Sequence, residues 1–213
     1  MSRIILFIQF ILLSIVPGLS LAQTPFEDIL RAAQKNDVPT LRTLVSKGMA
    51  VDTADPTGNT LLMLASREGH LEAARYLAGQ NANLGARNAY GDTAIMMASL
   101  KGHLEVVRLL RSRGAEINQA GWTALHYCAW EGQTDLCRYL IEQGAEVNAR
   151  APNDATPLMM ASSQGHADTV KLLLAHSADP ALRNDAGATA LSLALKGRKE
   201  EVARLLRQAC ARD

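Results

Sequence analysis

The sequence predicts an all-α solenoid of stacked helix-turn-helix pairs, and three observations carry that prediction. A block of sequence recurs: the threonines that open successive copies, Thr60, Thr93, Thr123, Thr156 and Thr189, are separated by 33, 30, 33 and 33 residues. A period of this size marks an array in which each repeat stacks on the next. The apolar runs that follow, such as Leu61–Ala65 and Ala94–Ala98, are too short to be stable helices alone and need neighbours to bury a shared face. Finally, 48% of the 213 residues are hydrophobic but only 4% are aromatic. A core of Ala, Leu, Val and Met suits closely packed helices better than a β-sandwich.

The first 22 residues stand apart. Arg3 is their only charge, and the run Ile4 to Val16 is broken only by Gln9 and Ser14 before Pro17 and Gly18. Ser20-Leu21-Ala22 then supplies small residues. This pattern predicts a signal peptide with cleavage after Ala22, hence a secreted or periplasmic protein. The alternative is an uncut membrane anchor, although the run falls short of the roughly 20 apolar residues a span needs. Ser2 stands where N-myristoylation requires glycine, and no cysteine lies near the cut to carry a lipid. Loss of Arg3 leaves 21 basic and 21 acidic residues. Without a basic face, nucleic acid is not an expected partner.

From the amino end, Phe26 to Asp52 keeps a helical pattern (Ile29, Ala32, Ala33, Leu41, Leu44, Val45) but lacks the threonine opening. Its polar Arg31, Gln34, Lys35 and Asp37 suit a solvent-facing cap repeat at 26–54. Repeats follow at 55–87, 88–119, 120–150 and 151–183. In each, a glycine closes the first helix, because glycine accepts the left-handed backbone found there. A second apolar helix (Val106, Val107, Leu109, Leu110 in one copy) ends at another glycine, Gly114 or Gly144. Ala65, Ala98, Cys128 and Ala161 share one repeat position, where small side chains let helices approach. The last repeat, 184–213, has Arg198-Lys199 in place of Gly-His and a polar final helix (Glu200, Glu201, Arg204, Arg207).

Thr123-Ala124-Leu125-His126, Thr156-Pro157-Leu158, the turns Gly69-His70, Gly102-His103 and Gly165-His166, and the closing Gly114-Ala115-Glu116-Ile117-Asn118 and Gly144-Ala145-Glu146-Val147-Asn148 resemble the ankyrin repeat. The resemblance spans Phe26 to Cys210. It implies an ankyrin-repeat solenoid with short β-hairpin-like fingers at Gly85–Tyr90, Ala149–Asn153 and Ala181–Ala186. Three residues are missing between Asn118 and Gly121, so one finger is truncated and the groove notched.

The same resemblance implies a protein-protein interaction module without cofactor, metal or catalysis. Its recognition positions are Thr57, Asn59, Arg67, Glu68, Tyr90, Asp92, Leu100, Lys101, Trp122, Trp130, Glu131, Asn153, Ser163 and Gln164. Both tryptophans of the chain fall in this set, and aromatic anchors rimmed by charge are the composition of a binding hot spot. Trp122 covering its own helix start, and Trp130 packing on a neighbour, are the competing readings.

Other residue groups carry rival chemistry. His70, His103 and His166 each lie on their own turn, and successive turns are about 10 Å apart, too far for them to share a zinc ion whose ligands sit about 2 Å away. Each is expected to bond loop backbone and tighten its turn. His126 and Cys128 could be a base and nucleophile, but residues i and i+2 do not face each other on a helix. Met63, Met96, Met97, Met159 and Met160 are expected in the core. Cys128 and Cys137 face the core of one repeat, either as a disulfide or as packed thiols, with Cys210 unpaired. The function expected is binding of a protein outside the cytoplasm. A membrane-tethered protective factor is the alternative, and a Cys/His enzyme the most remote.

Overall fold

A computed structural model describes residues 24–210, without the side chain of Cys210. Segment 1–22, expected to be a signal peptide, and the pairing of Cys210 lie outside the described residues. Among the described residues, twelve helices form six antiparallel pairs: α1 (Pro25–Gln34) with α2 (Val38–Ser46), α3 (Leu61–Arg67) with α4 (Leu71–Gly79), and α5 (Ala94–Leu100) with α6 (Leu104–Ser112). Then come α7 (Ala124–Glu131) with α8 (Thr134–Glu142), α9 (Pro157–Gln164) with α10 (Ala167–Ala175), and α11 (Ala190–Lys196) with α12 (Glu200–Cys210). The odd-numbered helices pack on one another in sequence as an inner row. The even-numbered helices form an outer row. It is packed less tightly, and most loosely between α6 and α8, where the repeat spacing is short.

One continuous apolar cluster runs from Ile29 to Leu206. Ala65, Ala98, Cys128 and Ala161, the equivalent small residues, are all fully buried in it. Helices of seven to eleven residues thus gain as a row the burial that none could have alone.

The caps explain why the threonine recurs. Thr60, Thr123, Thr156 and Thr189 precede their helices in extended backbone and accept a hydrogen bond from the N–H three residues on. The side chain at that third position often reaches back. Met63 Sδ accepts from the Thr60 N–H, Met96 Sδ from Thr93, His126 Nδ1 from Thr123 and Ser192 Oγ from Thr189. This is a capping box in which sulfur, imidazole or hydroxyl replaces the usual carboxylate. The position that reads as packing in the sequence therefore also closes a helix end.

Between paired helices the chain turns through a left-handed residue: Gly69, Gly102, Gly132 and Gly165, with Asn36 and Arg198 taking that backbone in the end repeats. Glycine has a second reason at these four turns, because a side chain of the next repeat (His103, Gln133, His166 or Lys199) lies against each. A Cβ on Gly69 would lie 2.5 Å from His103 Nδ1, and one on Gly132 2.5 Å from His166 Nδ1. Each imidazole lies over the preceding turn, and its Nε2 meets a carbonyl there: His70 with Gln34, His103 with Arg67 and His166 with Trp130. The histidines tie one repeat to the one before it, rather than only tightening their own turns.

The fingers are tight five-residue turns. In Asp55–Asn59, Asn88–Asp92, Ala151–Ala155 and Asn184–Ala188 the first N–H bonds the last carbonyl. One isolated antiparallel bridge, Ala54 with Thr60, accompanies the first of them. Finger tips also pair along the array: Ala89 N–H donates to Thr57 C=O at 2.9 Å, and Asp185 N–H to Asn153 C=O at 3.1 Å. Between the second and third fingers stands the shortened loop at Asn118–Gly121, and the row is interrupted there.

Candidate binding face

The expected recognition residues lie along one face, on the fingers and at the carboxyl ends of the inner helices. Arg67 ends α3, Glu68 caps it, and the two pair with each other at 2.9 Å. Leu100 and Lys101 close α5, Trp130 and Glu131 close α7, and Ser163 and Gln164 close α9. Tyr90 and Asp92 belong to the second finger and Asn153 to the third. Tyr90 is 77% exposed and Trp130 42% exposed. Of the three exposed aromatic residues among those described, Phe26, Tyr90 and Trp130, the last two lie on this face, and exposed apolar surface of this kind marks contact with a partner.

Leu100, Trp122, Trp130 and Asn153 come together around one hollow of roughly 410 Å³ beside the interrupted finger row. Tyr127, Met160 and the edge of His126 complete its wall. Trp122 is half-buried, edge-on to His126 at 5.4 Å between ring centres and tilted against Tyr127 at 6.3 Å. It therefore both covers its helix start and lines the hollow. The Tyr127 hydroxyl donates to the Asp92 carboxylate across the gap between repeats. Burial, then the hydrogen bond to Asp92 and that carboxylate's charge, raise the Tyr127 phenol well above the ordinary tyrosine range.

Three residues differ from expectation. Asn59 is buried, its amide bonded to Asp55 and Thr57 and its carbonyl to Asn88, so it holds the first finger instead of presenting a contact. Met160 is only half-buried and faces the hollow, whereas Met63, Met96, Met97 and Met159 are core. Tyr127 was not expected on this face. It occupies the repeat position of Met97 and Met160, and a phenol among thioethers was the available signal.

His126 and Cys128 do not form a base and nucleophile. His126 Nδ1 faces the Thr123 N–H and hydroxyl, and Nε2 meets the Ala155 carbonyl at 3.0 Å. Burial lowers its pKa from 6.5 to about 4, against the opposing effect of the backbone contacts. Cys128 is bonded to Cys137, with 5.7 Å between their Cα atoms, so the helices α7 and α8 of the tryptophan-bearing repeat are covalently stapled. Among the described residues no group of three or more His, Cys, Asp or Glu side chains could hold a metal ion, and no helix is long and apolar enough to cross a membrane.

The fold and this face define a stacked-repeat scaffold, of the kind that recognises other molecules through fingers and inner-helix ends. The family model for ankyrin repeats (3 copies) matches residues 27–88, 81–151 and 148–212, and the chain belongs to the ankyrin-repeat family. Ankyrin repeats generally serve as protein-interaction modules and non-catalytic scaffolds. Among curated proteins, none matches this sequence. Among solved structures, the human ASB11 ankyrin repeat domain is 23% identical with a TM-score of 0.78, over 88% of this chain and 84% of that one. A chain from the complex of the predatory endopeptidase Bd0816 of Bdellovibrio bacteriovorus with immunity protein Bd3460 is 24% identical with a TM-score of 0.76. There the match covers 85% of this chain and 97% of that one.

Proposed function

We propose that the chain binds a protein partner through the fingers and inner-helix ends of its central repeats, and that it does so outside the cytoplasm. The observation that carries the reading is an apolar hollow walled by Trp122 and the exposed Trp130, with a second exposed aromatic residue, Tyr90, on the second finger. A preformed surface loses little conformational entropy on association. The similar array in the endopeptidase and immunity-protein complex belongs to a protein-protein assembly, which is the use suggested for this one.

Two features support an oxidising compartment: the leader-like segment ending at Ala22 and the buried Cys128–Cys137 cystine, since such bonds persist mainly in extracytoplasmic proteins. N-terminal sequencing of the natural protein separates a released chain beginning at Gln23 from a tethered one.

The test of binding is affinity capture from the native compartment with wild type and Trp130→Ala. The substitution lowers partner affinity by about 2 kcal/mol or more and leaves the circular dichroism spectrum unchanged. Identical partners held with identical affinity by both proteins would remove Trp130 from the interface.

A further inference from the structure

We infer that the interrupted finger row is a slot for a tight turn of the partner protein, one that presents a large apolar side chain next to a carboxylate. The inference rests on the protein-binding reading above and says what kind of surface the chain recognises.

The intact fingers show what the slot lacks. Where two fingers are neighbours, the second residue of one donates its N–H to the third residue's carbonyl of the one before: Ala89 to Thr57, and Asp185 to Asn153. At the gap, the corresponding acceptor is the Tyr90 carbonyl, which accepts no backbone bond among the described residues. The corresponding donor position on the far side is Pro152, which has no N–H to offer. The slot thus keeps an acceptor on one wall and needs no acceptor from an occupant on the other. An incoming turn can continue the row by donating one N–H to Tyr90.

Side chains specify what such a turn must carry. Beside the slot, the rings of Trp122 and Trp130 with Leu100 and Met160 enclose a hollow of roughly 410 Å³, room for one large apolar side chain. Arg87 crosses the gap, with its guanidinium bonded to the Gly91 and Ala120 carbonyls at 3.0 and 3.4 Å. It is exposed and has no carboxylate within ion-pair distance among the described residues, whereas Arg150 on the next finger has Asp154 at 3.3 Å. The acidic groups near the hollow do not meet that charge: Asp92 takes the Tyr127 hydroxyl, and Glu131 lies beyond Trp130 at the end of α7, with Lys101 across at the end of α5. A carboxylate on the occupant completes Arg87. Turns favour Asp at their first position, so turn geometry and charge complementarity ask for the same residue.

The experiment is selection of turns from a library of constrained hairpin peptides, tryptophan-free and randomised at the turn, against the full chain. Emission from Trp122 and Trp130, the chain's two tryptophans, reports occupancy of the hollow. Selected turns should pair Asp or Glu with Leu, Ile, Met or Phe and shift that emission. They should bind at least about tenfold more weakly to a chain with three residues inserted after Asn118, which rebuilds the missing finger. Arg87→Gln should abolish the preference for the acidic residue while retaining the apolar one.

A library that yields no binder, or binders indifferent to the inserted finger, overturns the slot. So does an emission shift that follows the protein's own concentration, which would assign the hollow to a second copy. A natural partner that is captured equally by wild type and by the finger-restored chain sinks this inference but leaves the protein-binding reading standing; loss of all capture by wild type sinks that reading instead.

Discussion

The junction between the second and third repeats and the junction between the third and fourth differ by three residues of loop, and they diverge in only part of the structure. At both, the inner helices pack closely: α3 on α5, and α5 on α7. At the first, a complete finger stands over the junction and α4 packs on α6. At the second, the finger is missing and α6 and α8 touch less than any other neighbouring outer pair. Loop-to-loop clamps survive the change, since Asn118 bonds the Gly144 carbonyl and the Glu146 N–H as Asn148 bonds Ser177 and Asp179 one repeat later. The inner row holds the core together and tolerates a change in what projects from it. The fingers and the outer row absorb the difference.

If the inner row is indifferent to loop length, truncations on its two sides should cost the same. Ile95 on α5 and Leu125 on α7 are both 1% exposed. Ile95→Ala and Leu125→Ala should each lower stability by about 2–5 kcal/mol, read from urea unfolding. A much smaller loss for Leu125→Ala would mean that the short junction is already slack in its interior.

The fourth repeat should also respond to acid in a way its neighbours do not, because His126 stands where they have Met63, Met96 and Met159. Burial holds the folded imidazole neutral down to about pH 4, against 6.5 for a free one. The unfolded chain therefore takes up the proton first, and stability is intact above pH 6.5 and declines as pH falls toward 4. The whole loss is about 3 kcal/mol. Chemical denaturation across this window should show the decline in wild type and a flatter profile in His126→Met.

The cystine is a smaller local difference. Closing a short loop between α7 and α8 restricts the unfolded chain, so Cys128→Ala with Cys137→Ala should cost about 2–3 kcal/mol. Thermal melts of the double variant, with mass measurement of wild type before and after reduction, check both the bond and its worth. Smallest is the effect of Arg108, whose guanidinium lies 4.4 Å from the Tyr139 ring centre and spans the opened α6–α8 pair. Arg108→Ala should lose about 0.5–1 kcal/mol. Arg42→Ala, which removes the similar contact over Tyr76 at 4.9 Å, should lose no more, because its outer helices are better packed.

The register of the array was legible in the sequence because each class of position is repeated: cap threonine, turn glycine and small core residue all recur at one interval. So was the missing finger, which is a plain difference in spacing. Contacts that cross between repeats were not legible, because they depend on the offset between stacked turns. Nothing in the spacing says that His166 meets the Trp130 carbonyl, that Asn59 turns inward to Asn88, or that Tyr127 reaches Asp92. Met63 and Met96 as acceptors for a helix cap were hidden for another reason. A thioether is a weak acceptor, and an apolar position is read first as packing.

Because every substantial helix contact is with the same repeat or the next one, no part of the amino-terminal half waits for the carboxyl-terminal half to complete it. As the chain emerges from whatever pore or ribosome delivers it, finished pairs can dock on those already placed. Assembly can then keep pace with delivery, with little apolar surface exposed at any moment.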